Sequence, residues 1–97
     1  MPTVEALYRT LAAKFGLPFA RIEDRPVSPD ALQRVPARVA FEYRIFPLAW
    51  DGRRLTLATA VPLDFFTIDN LRHILGVDLE CVLSMKWDVD QALHRYC

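Results

Sequence analysis

The fold is decided by residues 43–76, which read YRIFPLAWDGRRLTLATAVPLDFFTIDNLRHILG. Asp51 and Gly52 lie between two apolar, β-prone runs, Ile45 to Trp50 and Leu55 to Val61. An Asp-Gly pair in this setting is typical of a tight hairpin turn, because glycine adopts positive φ without steric cost. This part of the chain therefore predicts a β-hairpin.

A helix is predicted directly after the hairpin. Pro62 lacks a backbone donor and should end the second strand, and the Asp64 carboxylate can cap the helix that follows. Apolar residues then recur at helical spacing, at Phe65, Ile68, Leu71 and Leu75. Gly76 is the expected end of this helix.

The N-terminal part of the chain predicts one helix and an irregular connection. The helix carries a single apolar stripe formed by Val4, Leu7, Tyr8, Leu11 and Phe15. Thr3 is its expected cap and Gly16 its expected end. Residues Leu17 to Ile22 are apolar but include a proline, so they predict an edge strand or an extended connection.

Prolines divide the next segment into two short helices. Ser28, Pro29 and Asp30 form a typical helix start, with a hydroxyl cap, a proline in the first turn and an acid near the positive end of the dipole. Pro36 forces a boundary and can open a second helix through Ala37 to Tyr43.

The C-terminal part predicts a strand and a last helix. Val77, Leu79, Cys81 and Leu83 alternate with more polar positions, which indicates a half-buried strand with Cys81 pointing inward. Ser84 is expected to cap the last helix, in which Val89, Ala92, Leu93 and Tyr96 share a face. The whole pattern predicts an α+β fold, a small two-layer sandwich with about three mostly antiparallel strands and four to five helices.

Composition indicates one small domain with no strong charge bias. The 97 residues carry 12 basic and 12 acidic side chains, so the basic excess typical of nucleic-acid binding is absent. The apolar fraction of 53% predicts either a generous core or apolar surface kept for a partner. The N-terminus resembles neither a signal peptide nor a membrane span, and two cysteines make no disulfide framework, so we expect a cytoplasmic location.

Residues that would support catalysis or metal binding are missing or scattered. With glycines only at positions 16, 52 and 76, the chain lacks a phosphate-binding loop. His94 and Cys97 could share a helix face, but a closed metal site needs about four ligands. Cys81 is expected to be buried and Cys97 is terminal, so neither is a candidate nucleophile. We therefore expect no enzyme, no cofactor and no metal.

The best candidates for an interaction surface are arginine and tryptophan side chains. Arg53 and Arg54 follow the hairpin turn and could bind an anion, although a solvated turn that carries charges is by far the commoner explanation. Trp50 and Trp87 could anchor a protein interface, but the pattern favours amphipathic packing against the sheet. With Arg44, these residues form the predicted interaction set.

Several segments in order resemble the N-terminal domain of general secretion pathway protein E and of type IV pilus assembly ATPases. The matching segments are LAAKFGLPF at 11–19, Val35-Pro36, YRIFPL at 43–48, the Gly52 turn into LTLA at 55–58, and DNLR at 69–72 followed by Gly76. The resemblance spans about Leu7 to Tyr96. Val61 departs from the pattern, because an Asp commonly precedes the proline in the family.

The resemblance implies a non-enzymatic adaptor or regulatory domain that docks on a cytoplasmic part of an inner-membrane secretion component. Some members of the family bind cyclic di-GMP, so the alternative is a cyclic di-GMP sensor in which Arg9, Arg44 or Arg53 pairs with phosphates. The resemblance places much of the nucleotide signature in a helical segment upstream of the matched region, so we expect no nucleotide in this part. The chain could also be a domain appended to a signalling or glycosyl-transfer protein.

Overall fold

Five α-helices and one three-stranded sheet form the computed structural model, which describes residues 1–97. The helices are α1 (Val4–Lys14), α2 (Pro29–Gln33), α3 (Ala37–Tyr43), α4 (Phe65–Leu75) and α5 (Lys86–Tyr96). The strands are β1 (Ile45–Trp50), β2 (Arg54–Thr59) and β3 (Asp78–Leu83), and a single 3₁₀ turn covers Ile22–Asp24. The predicted α+β class is confirmed.

The sheet is mixed, with the strand order β1-β2-β3. Strands β1 and β2 form the predicted antiparallel hairpin, but β2 and β3 are parallel, so the sheet is not mostly antiparallel. The reason is α4, which follows β2 and brings the chain back to the starting end of the sheet, as a crossover helix does in a βαβ unit. Strand β2 is therefore the central strand.

The hairpin has an irregular register near its proline. Ile45 pairs with Thr59 and Trp50 with Leu55, and the register shifts between Pro47 and Ala49. Pro47 has no N–H to donate, and β1 lies at the edge of the sheet, where a proline and a bulge are tolerated.

The core is formed by the sheet and by the helices that pack on it. Helices α2 and α3 contact β1, α5 contacts β1 and β2, and α4 contacts β3. The completely buried large aliphatic side chains are Ile45, Leu55, Leu57, Leu71, Leu83 and Leu93. Consecutive residues Leu57, Ala58 and Thr59 are all buried, and neighbouring strand residues face opposite sides, so both faces of β2 are covered at this end.

Three of the predicted helix caps are confirmed and one is wrong. Thr3, Ser28 and Asp64 each accept a hydrogen bond from the backbone N–H three residues later. Ser84 does not cap α5, whose N-cap is Met85. The Ser84 hydroxyl is buried and donates instead to the carbonyl of Ala20 at 2.9 Å, which joins the start of α5 to the N-terminal connection.

The cap at Asp64 predicts a dependence of stability on pH. Hydrogen bonding from the Thr67 backbone lowers the pKa of Asp64 below its ordinary value of 3.8. The unfolded chain therefore takes up this proton at a higher pH than the folded chain, so the cap stabilises the fold above about pH 4 and is lost as the pH falls.

We expect Asp64→Asn to be nearly as stable as the native protein at pH 7, since asparagine caps about as well as aspartate. Between about pH 5 and pH 3 it should lose less stability than the native protein, because it has no carboxylate to protonate at this position. Urea unfolding at several pH values measures this. Equal losses in the two proteins would contradict the assigned role of Asp64.

The apolar stripes of α1 and α4 are less buried than their patterns predict. In α1 only Ala12 is buried, and Val4, Leu7 and Phe15 are exposed. In α4 only Leu71 is buried, while Phe65 is exposed. Helical spacing was sufficient to predict the helices, but it does not show that every apolar face meets the core.

The burial pattern of β3 also differs from the prediction. Cys81 is only half-buried, whereas Val82, which the alternation places outward, is buried.

The connection before α2 is an extended segment with one bridge, in which Phe19 pairs with Leu83 in parallel. The N–H of Leu83 donates to Pro18 and its carbonyl accepts from Ala20, so this segment covers one end of the β3 edge.

A threonine closes the corner at which the family pattern is broken. The exposed Val61 donates its backbone N–H to the hydroxyl oxygen of Thr59 at 3.0 Å, and the same hydroxyl donates back to the Val61 carbonyl. The turn between β2 and α4 is thus formed without an acidic side chain before Pro62.

Candidate functional site

The five predicted interaction residues lie on two separate surfaces. Trp50, Arg53 and Arg54 lie at the tip of the β1–β2 hairpin, which we call the hairpin surface. Arg44 and Trp87 lie beside or on α5, which we call the α5 surface. The structure therefore does not bring the predicted set together as one site.

The hairpin surface begins with a turn that is held by Asp51. One carboxylate oxygen of Asp51 accepts hydrogen bonds from the backbone N–H groups of Arg53 at 2.8 Å and Arg54 at 2.7 Å. These bonds, from Arg54 first and then Arg53, lower the pKa of Asp51. Gly52 adopts φ +95°, which explains the glycine at this position. The turn is therefore an ordered feature that presents two exposed guanidinium groups.

Arginine side chains surround Trp50 on the hairpin surface. The Arg34 guanidinium stacks over the Trp50 ring at 4.4 Å from its centroid. A shallow open depression is lined by Trp50, Arg53 and Arg72, and also by Asp78. Arg54 is directed to Glu80 on β3 at 3.8 Å, so its charge is partly neutralised. Arg53 and Arg72 form no ion pair, which leaves positive charge here.

The α5 surface contains a charge cluster centred on Asp90. Lys86 donates to Asp90 at 2.6 Å, and Arg44 approaches the same carboxylate at 3.4 Å. The hydrogen bond from Lys86, followed by the charges of Lys86 and Arg44, lowers the pKa of Asp90. Arg44 has φ +52° at the end of α3, a left-handed conformation that is uncommon outside glycine. Arg44 thus links α3 to the exposed face of α5.

Trp87 is the most exposed tryptophan, with 68% of its surface accessible. It stands beside a cleft of about 170 Å³ between α5 and the segment around Ile22–Val27. Trp87 also lines a more open groove, together with Asp90, Gln91, His94 and Arg95. The alternative interpretation of Trp87, that its ring packs against the sheet, is wrong because the ring faces solvent.

An ion cluster centred on Arg21 lies beside this cleft, and sequence analysis missed it. Within the cluster Asp88 is buried, whereas Glu23 is exposed. Arg21 donates to Asp88 at 2.7 Å, to Glu5 at 2.8 Å and to Glu23 at 2.7 Å. Hydrogen bonding to Asp88 first, and then to Glu5, raises the pKa of Arg21, and Arg21 in turn lowers the pKa of Glu5. The sequence offered one signal for this cluster, which is the charged Arg21 within an apolar run. Its partner Asp88 lies 67 residues away, so no local pattern connects the two residues.

The two thiols are poorly suited to nucleophilic chemistry. Burial raises the pKa of Cys81 and that of Cys97, which disfavours the reactive thiolate in both cases. No group of three or more His, Cys, Asp and Glu side chains is arranged to hold a metal ion. None of the helices is both long and apolar enough to cross a membrane.

The sequence pattern of the MshEN domain family matches residues 15–97, which include all three strands and α2 to α5. The chain belongs to this family. The resemblance to the N-terminal domains of secretion and pilus ATPases is thereby confirmed. The match is to an MshEN domain and not to an ATPase domain.

This MshEN domain is similar to part of a larger pilus protein. It is 29% identical over 86 residues to the type IV pilus assembly ATPase PilB of Myxococcus xanthus (strain DK1622). The matched region covers 89% of this chain but only 15% of PilB. The chain therefore spans a small part of the length of this relative.

Two solved structures share the fold of the MshEN domain. A structure of MshE with bound cyclic di-GMP superposes with a TM-score of 0.86 at 24% identity, over 98% of this chain and 69% of that chain. The N-terminal domain of XpsE superposes with a TM-score of 0.74 at 23% identity, over 93% of this chain and 64% of that chain. At these identities the likeness establishes the fold.

Proposed function

We propose that this MshEN domain is a non-enzymatic interaction and regulatory domain of a type II secretion or type IV pilus ATPase-like protein. It docks on a cytoplasmic part of an inner-membrane component of the same machinery. The family match over residues 15–97 carries the proposal. The similarity to part of PilB, a pilus assembly ATPase, supports the type of machinery.

The surface of the domain is consistent with docking and offers little for catalysis. Large apolar side chains are exposed on several elements, among them Leu7, Phe66 and Trp87. Arginines with no carboxylate partner lie beside both tryptophans, and arginine and tryptophan are enriched where protein interfaces gain most of their energy. The interaction residues in this proposal remain Arg44, Trp50, Arg53, Arg54 and Trp87.

We further propose that residues 1–97 act as one unit in the cytoplasm. This unit reaches the inner membrane through the partner protein. The Arg21 cluster supports this unit, because it ties α1 and α5 together through Glu5 and Asp88.

A second candidate function is cyclic di-GMP sensing, which is favoured by the similarity to MshE solved with this nucleotide. Of the three arginines considered for phosphate binding, Arg9 bonds to Glu5 at 3.0 Å and stacks over Phe19, and Arg44 approaches Asp90. Arg53 has no carboxylate partner and is the most available of the three. Binding of a phosphate by Arg53 would therefore break no existing ion pair, in contrast to binding by Arg9 or Arg44.

Calorimetry with two ligands tests these functions. We expect the purified domain to bind the cytoplasmic region of one inner-membrane component of its own secretion or pilus system, saturably and more tightly than about 1 mM. The absence of binding to every such component would contradict docking.

Cyclic di-GMP is titrated in parallel. Saturable micromolar binding that is lost in Arg53→Gln but kept in Arg38→Gln, an exposed arginine on α3, would establish the sensor function. No heat of binding with the nucleotide, combined with binding of the protein component, is the result expected from the main proposal.

A further inference from the structure

The start of α4 carries large aromatic side chains that the domain does not cover. Phe65 and Phe66 are 70% and 82% exposed, and their rings meet edge to face with centroids 5.9 Å apart. Leu71 is the buried residue of α4, so the helix packs on the domain through another side. Neighbouring large apolar side chains that stay exposed mark an interaction surface.

A groove lies beside this aromatic pair, between α4 and the end of α3, and we call it the α3–α4 groove. The Asn70 amide donates to the hydroxyl oxygen of Tyr43 at 2.8 Å, which ties the two helices together. The groove is therefore already ordered, and little conformational entropy is lost when a partner binds. Its lining residues are Tyr43, Phe66, Thr67, Asp69, Asn70 and His73.

One carboxylate and no lysine or arginine line the groove. That carboxylate belongs to Asp69, which is exposed and pairs with no basic side chain of the domain. Arg72 lies one turn further along α4, but it lines the depression on the hairpin surface. Arg44, which follows Tyr43, approaches a carboxylate on α5.

The other charges of α3 and α4 do not offset Asp69. Two bases without an ion pair, Arg38 and Arg72, are matched in number by two acids without one, Glu42 and Asp64. The charge of Asp69 is therefore in excess on this side of the domain.

The free polar atoms on the α4 side of the groove are suited to a donor-rich cation. Asp69 offers two carboxylate oxygens, and Asn70, whose N–H group is used on Tyr43, keeps a free carbonyl oxygen. The exposed ring of Phe66 lies along the same groove. A guanidinium group donates five N–H groups and also stacks on aromatic rings, so arginine fits better than lysine.

We propose that the α3–α4 groove is the docking site for an arginine-containing segment of the partner protein. The arginine binds the Asp69 carboxylate and the Asn70 carbonyl, and an apolar residue next to it covers Phe66. The proposal rests on the proposed docking function and gives it a further surface. Charge complementarity selects this occupant, since an acidic segment or an anionic lipid surface would be repelled by Asp69.

The probe is a short peptide of Ser and Gly with a central Leu-Arg pair, and amide chemical shifts of the domain report its binding. We expect saturable shifts centred on residues 66–73, with a Kd below about 1 mM. The titration is run at pH 8, where an ordinary histidine side chain is uncharged, so that His73 adds no positive charge. No binding, or shifts centred elsewhere, overturns the proposal.

Two variants and two matched controls test the residues. Asp69→Asn and Phe66→Ala should each weaken binding by at least about threefold. The same substitutions at exposed positions on other helices, Asp30→Asn and Phe15→Ala, should change it by less than about 1.5-fold. Circular dichroism checks that the variants fold. Equal effects in the variants and the controls contradict the proposal.

Charge reversal tests the chemistry of the occupant. A peptide with Glu in place of Arg should not bind the native domain, and Asp69→Lys should lose the arginine peptide and bind the Glu peptide. Equal binding of both peptides to the native domain overturns the proposal. Phe66-dependent binding to vesicles of phosphatidylcholine and phosphatidylglycerol would assign the surface to lipid and also overturns it.

The partner experiment separates failure of this site from failure of the docking function. If a cytoplasmic region of the inner-membrane component binds the native domain and Asp69→Lys equally well, the site is wrong and the docking function stands. If that region does not bind but the arginine peptide binds in an Asp69-dependent way, the site stands and the docking function is wrong.

Discussion

Replacing Leu57 with alanine is expected to lower the free energy of unfolding by about 2–5 kcal/mol. Leu57 is completely buried in β2, which has a paired strand on each side. Removing three carbon atoms from this position costs their transfer free energy and leaves a cavity that the two neighbouring strands prevent from closing. A loss of this size is a large part of the total of about 5–15 kcal/mol that is typical of a small protein.

Urea unfolding followed by circular dichroism measures the change, and Leu7→Ala is the matched control. Leu7 is 57% exposed on α1, so its truncation should alter the free energy of unfolding by less than about 0.5 kcal/mol. A near-neutral result for Leu57→Ala would show that Leu57 does not lie in a packed central strand.

Replacing Asp88 with asparagine is expected to lower the free energy of unfolding by about 1–3 kcal/mol. The Asp88 side chain is only 4% exposed and accepts two hydrogen bonds from Arg21, at 2.7 and 3.4 Å. Asparagine keeps the size of the side chain but removes its charge and one acceptor. Arg21 then keeps only the carboxylates of Glu5 and Glu23 as partners.

The control is Asp90→Asn, the same substitution one half-turn further along α5. Asp90 is 26% exposed and pairs with Lys86 at the surface, so its loss should cost no more than about 1 kcal/mol. If both variants lose the same stability, the Arg21 cluster does not hold the structure together. Denaturant midpoints at one salt concentration and pH 7 decide between these outcomes.

The elements that sequence analysis predicted well depend on contacts between residues close together in the chain. In the hairpin turn, Asp51 accepts hydrogen bonds from the N–H groups of Arg53 and Arg54. At the start of α4, Asp64 accepts one from the N–H group of Thr67. Such bonds form within three residues and leave a local pattern that can be recognised. The direction of β3 left no such pattern, because it depends on the path of α4 across the sheet.

Ser84 shows why a local signal can still mislead. Serine before a helix usually caps it, yet here the residue is completely buried and a carbonyl from Ala20 is within reach. The buried hydroxyl bonds to that carbonyl, and α5 begins two residues later without a side-chain cap. The choice between these two partners depends on packing between segments 64 residues apart.

By itself, the sequence determined the hairpin, the helix starts at Thr3, Ser28 and Asp64, and the order of motifs that indicated the family. Only the tertiary structure decided that Arg21 joins Glu5, Glu23 and Asp88, and that Trp87 stands exposed beside a cleft. The physical reason is range: turns and caps are stabilised by neighbours in the chain, whereas burial and ion pairing depend on segments that meet only after folding.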